Sequence, residues 1–519
     1  MQLAYARQAD RIWILNVGDL KPLEIPITHF MDLAYDTPKW GYSTVPEWLS
    51  HWATREFGPQ YAENISSIVD RYGMYAARRK YELLDPTVYS VNNYNEADAV
   101  LAQWSTLAND AQAIYDKLDS ATQIPFFEMV LHPILAGQIV TEIYVGAAKN
   151  IHYVEQKRNS ANTVAQSVLS LFNQDHALTQ RYHDLLNGKW NHMLDQTHLG
   201  YDYWQQPMRN ALPPLAWVQE LETSLAGNIG VGIEASNATV SGDDNYHSLS
   251  SDTLTLPPMD RYGPKTRWID IFARGPAECS WTIASSKPYI TVSPSTGTSG
   301  GNGTDTRVFL SVDWASVNNS TTVNLNVNSS CGSAWGNYGP PTIQLPIVNT
   351  AIPSNFSGFV ESDRHLSIEA EHTSLSTSVS GVSYLTLPGL GRTLSGVTLS
   401  PVLAPSQSIE TGPVLEYDVY TFTGSARVNV TLFITAALNQ MGSTRPLKYA
   451  VGFDGDLGEV QTVQFVANTT GADGAVLPAG WAGAVSDGVW GVSSGNSESL
   501  SLSLLFIVIV SQVSGMCRS

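Results

Sequence analysis

The first group of residues whose types suit chemistry lies in and after an apolar run at residues 12–17. It contains Asn16, Asp19, Lys21 and Glu24. If the run is a barrel strand, these amide, ammonium and carboxylate groups lie at its C-terminal end, where they can bind a polar ligand or position a catalytic water. The same residue types also cap loops by hydrogen-bonding nearby backbone groups. Spacing alone leaves both interpretations open.

The second group lies in residues 88–95 (VYSVNNYN), directly before a predicted helix. Its amides and phenols, including Asn93 and Tyr94, converge in a loop that could line a pocket. The alternative is structural, because Asn95 suits the N-cap of the following helix.

The third group is the loop at residues 189–207 (KWNHMLDQTHLGYDYWQQP). His192 and His198 flank Asp195 at three-residue steps, a pattern that could bind a metal ion. The surrounding rings and amides favour contact with a sugar or docking of a neighbouring domain instead. We therefore predict neither a metal nor a cofactor. The aromatic residues of this loop are Trp190, Tyr201, Tyr203 and Trp204.

Hydrophobic periodicity indicates the elements that position these groups. Residues 3–9 pair at helical spacing and lead into residues 12–17 as a buried strand, an order typical of the last helix-to-strand step of an α/β barrel. From residue 44 to Gly188, long helical patterns follow one another, as in an antiparallel bundle. From about residue 226, β-branched runs alternate with Gly, Ser, Asn and Pro, which predicts β-sandwiches.

The sequence thus predicts a multidomain α+β protein. Its expected parts are the tail end of an α/β (TIM-like) barrel at 1–43, a helical bundle at 44–210, a β-sandwich at 211–355, an incomplete C-terminal β-sandwich at 356–492 and an aberrant or disordered tail at 493–519.

The charge balance excludes some classes of partner. Lys and Arg number 28 against 47 Asp and Glu, a formal net charge of −19. A negative field of this size repels nucleic-acid phosphates and anionic lipid surfaces. We therefore expect no nucleic-acid partner and no membrane partner.

Cysteines and glycosylation triplets bear on the compartment. Cys279 and Cys331 fall in one strand-rich segment and are the natural candidates for a disulfide. Nine Asn-x-Ser/Thr triplets without proline, crowded towards the strand-rich half, favour a secreted glycoprotein. Residues 1–13 contain no secretory signal, so the extracellular expectation applies to the full gene product.

Several segments together resemble a known family. They are WILNVGDLKPLEIPITHFMDLAYD, ELLDPTVYSVNNYNEAD, KWNHMLDQTHLGYDYWQQP, FVESDRHLSIEAEHTS and VLEYDVYTFT. In this order they resemble glycoside hydrolase family 115 over roughly residues 1–490. The resemblance implies a barrel, a helical region over the barrel mouth, C-terminal β domains and a homodimer.

The resemblance also implies an activity and assigns residues to it. Family members are xylan α-1,2-glucuronidases, which release glucuronic or 4-O-methylglucuronic acid from glucuronoxylan by inversion. Asn16 corresponds to a supporting active-site amide, while Lys21, Glu24, Asn93 and Tyr94 are candidates for substrate binding. The loop residues His192, His198, Tyr201 and Trp204 are carried over only as a contact surface.

Family members are longer and carry most of the barrel, with the general acid and base, before the point that matches Met1. The resemblance therefore implies that this chain alone is an inactive fragment of a glycosidase. The alternative is a non-catalytic remnant that binds glycans or serves as a scaffold, because the segment LSIEAEH resembles the opening strand of carbohydrate-binding sandwiches.

Overall fold

A computed structural model of the chain contains both helices and several sheets, the mixed α and β content that the sequence predicts. The chain forms two compact units, the first built from Met1–Leu83, Asn109–Ile134 and Ile352–Ser519 and the second from Leu84–Ala108 and Leu135–Ala351. The structure describes residues 1–18, 20–200, 208–239, 253–300, 305–331, 340–391, 393–423, 428–435, 447–453, 456–457, 461–463, 486–496 and 504–511.

The N-terminal segment differs from the prediction. A short helix, α1 (Gln2–Ala6), is present, but residues 12–17 form no strand. Ile12 and Ile14 are 80% and 88% exposed rather than buried. A strand is stable only when its backbone N–H and C=O groups are paired, and no strand in the described part of the chain pairs with this segment. The predicted buried barrel strand is therefore wrong for this chain.

Seven longer helices follow within the described residues. Apolar residues at helical spacing, such as Trp48 and Trp52, bury one face of each helix, and Gly58 ends the helix that contains these two tryptophans. The helices are α2 (Glu24–Tyr35), α3 (Val45–Phe57), α4 (Ala62–Ala77), α5 (Glu96–Tyr115), α6 (Ser120–Phe126), α7 (His132–Glu155) and α8 (Ser160–His183).

A π-helical turn, Phe127–Leu131, joins α6 to α7. Asp119 caps α6 by accepting hydrogen bonds from the backbone N–H groups of Ala121 and Thr122. The continuous stretch Ser120–Glu155 is long and apolar enough to cross a membrane, a test that buried core helices also pass, and 56% of its most apolar window is buried within the protein.

Two sheets form the β part of the second unit. A four-stranded sheet has the order β1-β3-β7-β5, and a five-stranded sheet has the order β2-β9-β8-β4-β6. Their facing sides share one hydrophobic core. The strands are β1 (Ile229–Ile233), β2 (Thr253–Thr255), β3 (Arg267–Ala273), β4 (Cys279–Ser285), β5 (Ile290–Ser293), β6 (Thr296–Ser299), β7 (Thr306–Val312), β8 (Thr321–Ser329) and β9 (Thr342–Ile347).

Strand β3 is buried on both faces. Ile269 and Ile271 belong to the shared core, whereas Asp270 pairs with Arg158, which lies between α7 and α8. The neighbouring strand β1 leaves room for this arginine, because a Cβ at Gly232 would lie 2.7 Å from an Arg158 guanidinium nitrogen. Glycine alternates with Ile and Val in β1. The Ile and Val side chains on one face therefore belong to the core, while Gly232 on the other face leaves room for the ion pair.

The C-terminal part of the first unit is built from short strands. Strands β10, β14, β20, β16 and β17 lie side by side, with β11 paired to β14 and β18 to β16, and two further pairs are β12-β13 and β15-β19. The bounds are β10 (Phe359–Val360), β11 (Leu375–Ser376), β12 (Ser383–Pro388), β13 (Ser395–Ser400), β14 (Leu415–Tyr420), β15 (Val428–Thr435), β16 (Leu447–Phe453), β17 (Asp456–Leu457), β18 (Gln461–Val463), β19 (Val489–Asn496) and β20 (Leu504–Ser511).

Strand β20 lies in the segment that the sequence assigns to a tail outside the fold. It pairs with β14 on one side and β16 on the other. Its residues, LLFIVIVS, are mostly β-branched or otherwise apolar, which suits a central strand. At least this part of residues 493–519 therefore belongs to a sheet.

Candidate functional site

A cluster of one lysine and two glutamates is the most chemically distinctive site of the first unit. Lys21 forms an ion pair with Glu24, and its Nζ also lies 3.5 Å from Oε2 of Glu128. The Glu128 side chain is only 1% exposed, whereas those of Lys21 and Glu24 are 25% and 27% exposed. Glu128 is thus the most buried member of the cluster.

Local sequence explains two of the three positions. Glu24 is the first residue of α2, where a carboxylate is favoured by the helix dipole, and Lys21 precedes it by three residues. Glu128 lies on the π-helical turn that follows α6. Such turns are frequent at functional sites, because the additional residue displaces the side chains around it from the regular helical pattern.

The surroundings change the protonation of this cluster. Burial, and then the negative charge of Glu24, raise the pKa of Glu128 to about 7, while Lys21 acts in the opposite direction. Partial burial lowers the pKa of Lys21, but its hydrogen bond to Glu24 and the charge of Glu128 outweigh this effect and leave that pKa above its ordinary value. Near neutral pH the cluster therefore holds a charged lysine beside a carboxyl that readily exchanges a proton.

Asn16 does not join this cluster by any hydrogen bond within the described part of the chain. Its side chain is exposed, on the irregular segment that replaces the predicted strand. Asp19, from the same predicted group, lies outside the described residues. The structure therefore brings Lys21 and Glu24 together and leaves Asn16 apart from them.

The other predicted pocket residues belong to the second unit. Asn93 and Tyr94 lie in the turn before α5 and are exposed, and Tyr94 has a positive φ of 54°. The turn is held locally, because the backbone N–H of Asn93 donates to the Ser90 hydroxyl. Asn95 bonds elsewhere, since its side-chain oxygen accepts a hydrogen bond from Arg307.

The histidine loop contains two separate carboxylate contacts. Asp195 faces His183 at 3.3 Å and His192 at 3.5 Å, and the two imidazoles stack at 6.0 Å between ring centroids. His198 Nε2 lies 2.9 Å from Oδ1 of Asp175 on α8. His192 thus contacts Asp195, whereas His198 contacts Asp175, so the two predicted histidines do not share one carboxylate.

His198 is held in its charged form more strongly than an ordinary histidine. Burial lowers its pKa, but the hydrogen bond and charge of Asp175 outweigh burial and raise the pKa overall. This contact ties the loop to α8. Tyr201 and Trp204, also predicted here, lie outside the described residues.

No group of three or more His, Cys, Asp or Glu side chains in the described ranges is arranged to hold a metal ion. Cys279 and Cys331 form a disulfide that joins the start of β4 to the segment directly after β8.

Sequence reasoning missed Glu128 and His183. The signal for Glu128 was present, because it is the lone charged residue in the apolar run IPFFEMVL, three residues after Pro125. A buried charge needs a partner, so this position alone indicates an ion pair or a shifted pKa. His183 ends α8 and gave no comparable signal.

Comparison with known proteins places the chain in a family. The profile of Glycosyl hydrolase family 115 matches residues 1–83, and the profile of the Glycosyl hydrolase family 115 C-terminal domain matches residues 358–498. No protein with a curated description matches.

Among solved structures, a family GH115 4-O-methyl-alpha-glucuronidase, BtGH115A, with specificity for decorated arabinogalactans, matches with a TM-score of 0.53 and 15% identity. The match covers 96% of this chain and 44% of that enzyme, so the chain spans less than half of the enzyme's length. Tripeptidyl peptidase 2 (TM-score 0.18, 7% identity, 54% of this chain and 18% of that one) and the periplasmic chaperone SfaE (TM-score 0.15, 11% identity, 32% of this chain and 88% of that one) are too dissimilar to inform the fold.

The two profiles match both ends of the chain in the family's order, and the fold of the whole chain resembles that of a family member. The chain belongs to glycoside hydrolase family 115.

Proposed function

We propose that the chain is the product of a gene for a secreted glycosidase that releases glucuronic acid or its 4-O-methyl ether from glucuronoxylan or a similarly decorated polysaccharide by inversion. The chain supplies groups that bind the uronic acid and is inactive alone. The observation that carries this proposal is the cluster of Lys21, Glu24 and Glu128, whose first two members lie in the N-terminal profile match.

The uronic acid offers a carboxylate, and Lys21 offers an ammonium group on a partly exposed side chain. Ammonium and carboxylate form charge-assisted hydrogen bonds, which are stronger than those between neutral groups. When Glu128 holds a proton, the charges of Lys21 and Glu24 cancel, and the cluster does not repel an anionic sugar. When Glu128 is ionised, the cluster carries a net negative charge and repels it.

The same geometry supports inactivity of the chain alone. Inverting hydrolysis needs an acid and a base carboxyl roughly 6.5–9.5 Å apart, with room for a water. Glu24 and Glu128 share one lysine, and the negative charge of Glu24 raises the pKa of Glu128. Both carboxyls contact the same lysine, so we expect the acid and base pair outside this cluster.

The test measures binding and turnover separately. Titration of the full chain with 4-O-methylglucuronic acid, followed by ligand-observed NMR, is expected to show binding that Lys21→Met weakens about tenfold, the loss of one charge-assisted contact. Lys117→Met, which removes an exposed lysine, is the control and should leave binding unchanged. Equal binding by the two variants would contradict the proposed site.

Binding by the parent chain should also weaken as the pH rises through about 7, because Glu128 then ionises. In parallel, the chain is incubated with glucuronoxylan and with arabinogalactan, and free uronic acid is measured. No release is expected, and release from either polymer would contradict the proposed inactivity. Retardation on xylan without uronate binding at Lys21 would favour a non-catalytic glycan-binding remnant.

A further inference from the structure

The outer face of the five-stranded sheet is uncharged. On β8, the exposed residues Asn324, Asn326 and Asn328 alternate with core residues. Their cross-strand neighbours on β4 and β9 are also small and polar or apolar, for example Thr282 opposite Asn328. The residues of this outer face that the structure describes are Thr255, Ser280, Thr282, Ala284, Thr296, Thr298, Thr322, Asn324, Asn326, Asn328, Thr342, Gln344 and Pro346.

Within this face, Asn328 alone begins an Asn-x-Ser/Thr triplet, Asn328-Ser-Ser330. Its side chain is exposed, and no hydrogen bond among the described residues uses its carboxamide. Asn326, two residues earlier on the same face, is followed by Val327 and Asn328 and forms no such triplet.

A second, independent observation concerns the compartment. Cys331 lies three residues after Asn328 and forms the disulfide with Cys279 on the adjacent strand β4. Disulfides of this kind form in the oxidising environment of secreted proteins, where asparagine-linked glycans are also attached. The disulfide at the end of β8 therefore indicates the same compartment that glycosylation of the Asn328 triplet requires.

We propose that Asn328 carries an N-linked glycan that stands on the uncharged face of the five-stranded sheet. In the modification, Nδ2 of Asn328 bonds to the anomeric carbon of a lipid-diphosphate-linked oligosaccharide. The bond between that carbon and the diphosphate oxygen breaks, the lipid diphosphate leaves with the electron pair, and the amide nitrogen releases one proton. This inference does not rest on the proposed activity.

Asn328 differs from Asn237, which begins another triplet of the same unit and is engaged in hydrogen bonds. The side-chain oxygen of Asn237 accepts a hydrogen bond of 2.5 Å from Asn92, and its backbone carbonyl accepts one from Gln156. A glycan on Asn237 would have to preserve these contacts. At Asn328 the neighbouring outer side chains are short, so a sugar attached there displaces none of them.

To test this proposal, the full chain is expressed in a eukaryotic host and directed into the secretory pathway. Peptides are treated with peptide N-glycosidase in heavy-oxygen water, which converts a glycosylated asparagine to labelled aspartate, and are analysed by mass spectrometry. We expect label at Asn328. On gels, Asn328→Gln and Ser330→Ala should each lose the mass of one glycan.

Two further variants serve as controls. Asn326→Gln changes the same face without touching the triplet and should keep the glycan. Ser330→Thr retains a valid triplet and should keep the glycan too, which separates loss of the acceptor from damage to the strand. Recovery of the Asn328 peptide wholly unmodified, in protein that has formed the Cys279–Cys331 disulfide, would overturn the proposal.

Discussion

Lys21 Nζ lies 3.5 Å from Oε2 of Glu128, so a partly exposed lysine side chain on the segment before α2 reaches a side chain that is almost wholly buried on a π-helical turn. The two residues are far apart in the sequence, and the contact joins the N-terminal segment to the helical part of the first unit. Glu24 completes the cluster and shares the lysine.

Replacement of Glu128 by Gln should change how stability depends on pH. The folded-state pKa of Glu128 is raised to about 7 from 4.5, so between these values the folded chain holds a proton that the unfolded chain has lost. This group therefore stabilises the fold at low pH, and the contribution falls as pH rises towards 7, by about 3 kcal/mol at most. In Glu128→Gln this fall should disappear. Urea unfolding followed by tryptophan fluorescence from pH 5 to 8 measures it.

The control for this experiment is Glu47→Gln, since Glu47 is exposed in the first turn of α3. That variant should retain the pH dependence of the parent chain. The explanation fails if Glu128→Gln and the parent chain lose stability in parallel between pH 5 and 7.

The buried ion pairs of the second unit should be sensitive to loss of Arg158. This side chain is 1% exposed and binds Asp270 at 3.0 Å and Asp305 at 2.9 Å. Arg158→Met leaves two buried carboxylates short of a partner, a change that typically costs about 3–5 kcal/mol. Protection of the β3 amides against hydrogen exchange should fall more than about a hundredfold. Arg55→Met, which breaks the surface pair with Glu56, should cost less than about 1 kcal/mol.

The disulfide should stabilise the β part of the second unit. It closes a loop with a sequence separation of 52 residues, for which chain entropy predicts about 4 kcal/mol. A Cys279→Ala, Cys331→Ala double variant should unfold at lower urea concentration than the parent chain. Reductant should shift the parent to the midpoint of the variant and leave the variant unmoved, and an equal midpoint for all samples would argue against this contribution.

The contact between His198 and Asp175 should be visible in the titration of one imidazole. The pKa of His198 is raised, so the ion pair stabilises the loop fully below the ordinary histidine value and is lost as pH rises through the higher folded value. Asp175→Asn should lower the His198 pKa, measured by NMR of the ring protons. Asp184→Asn removes an exposed carboxylate at the end of α8 and should not.

The sequence predicts features that depend on neighbouring residues better than it predicts contacts between residues that are far apart in the chain. Lys21 and Glu24 already belong to one predicted polar group because they are close in the sequence, and the helix α3 follows from Trp48 and Trp52. Glu128 could be suspected from its apolar neighbours, but its partner could not be named, because that partner lies in a different part of the chain.

The error at residues 12–17 has a related cause. Apolar periodicity indicates that a segment is able to form a buried strand, yet pairing depends on other strands that the segment's own residues do not specify. The sequence therefore predicts Ile14 as a core residue, whereas its side chain is 88% exposed in the structure. The same limit explains β20, which pairs between β14 and β16 although its neighbours in sequence resemble a tail.

The two-sided burial of β3 fixes the alignment of that strand with its neighbours. A slip of one residue would turn every side chain to the opposite face, so Asp270 would enter the apolar core and Ile269 or Ile271 would meet Arg158 and Arg307. Arginine cannot shed its proton to relieve such a mismatch. A misaligned β3 would therefore bury unpaired charge on one side and lose core contacts on the other, so the ion pairs favour the observed register over a slip of one residue.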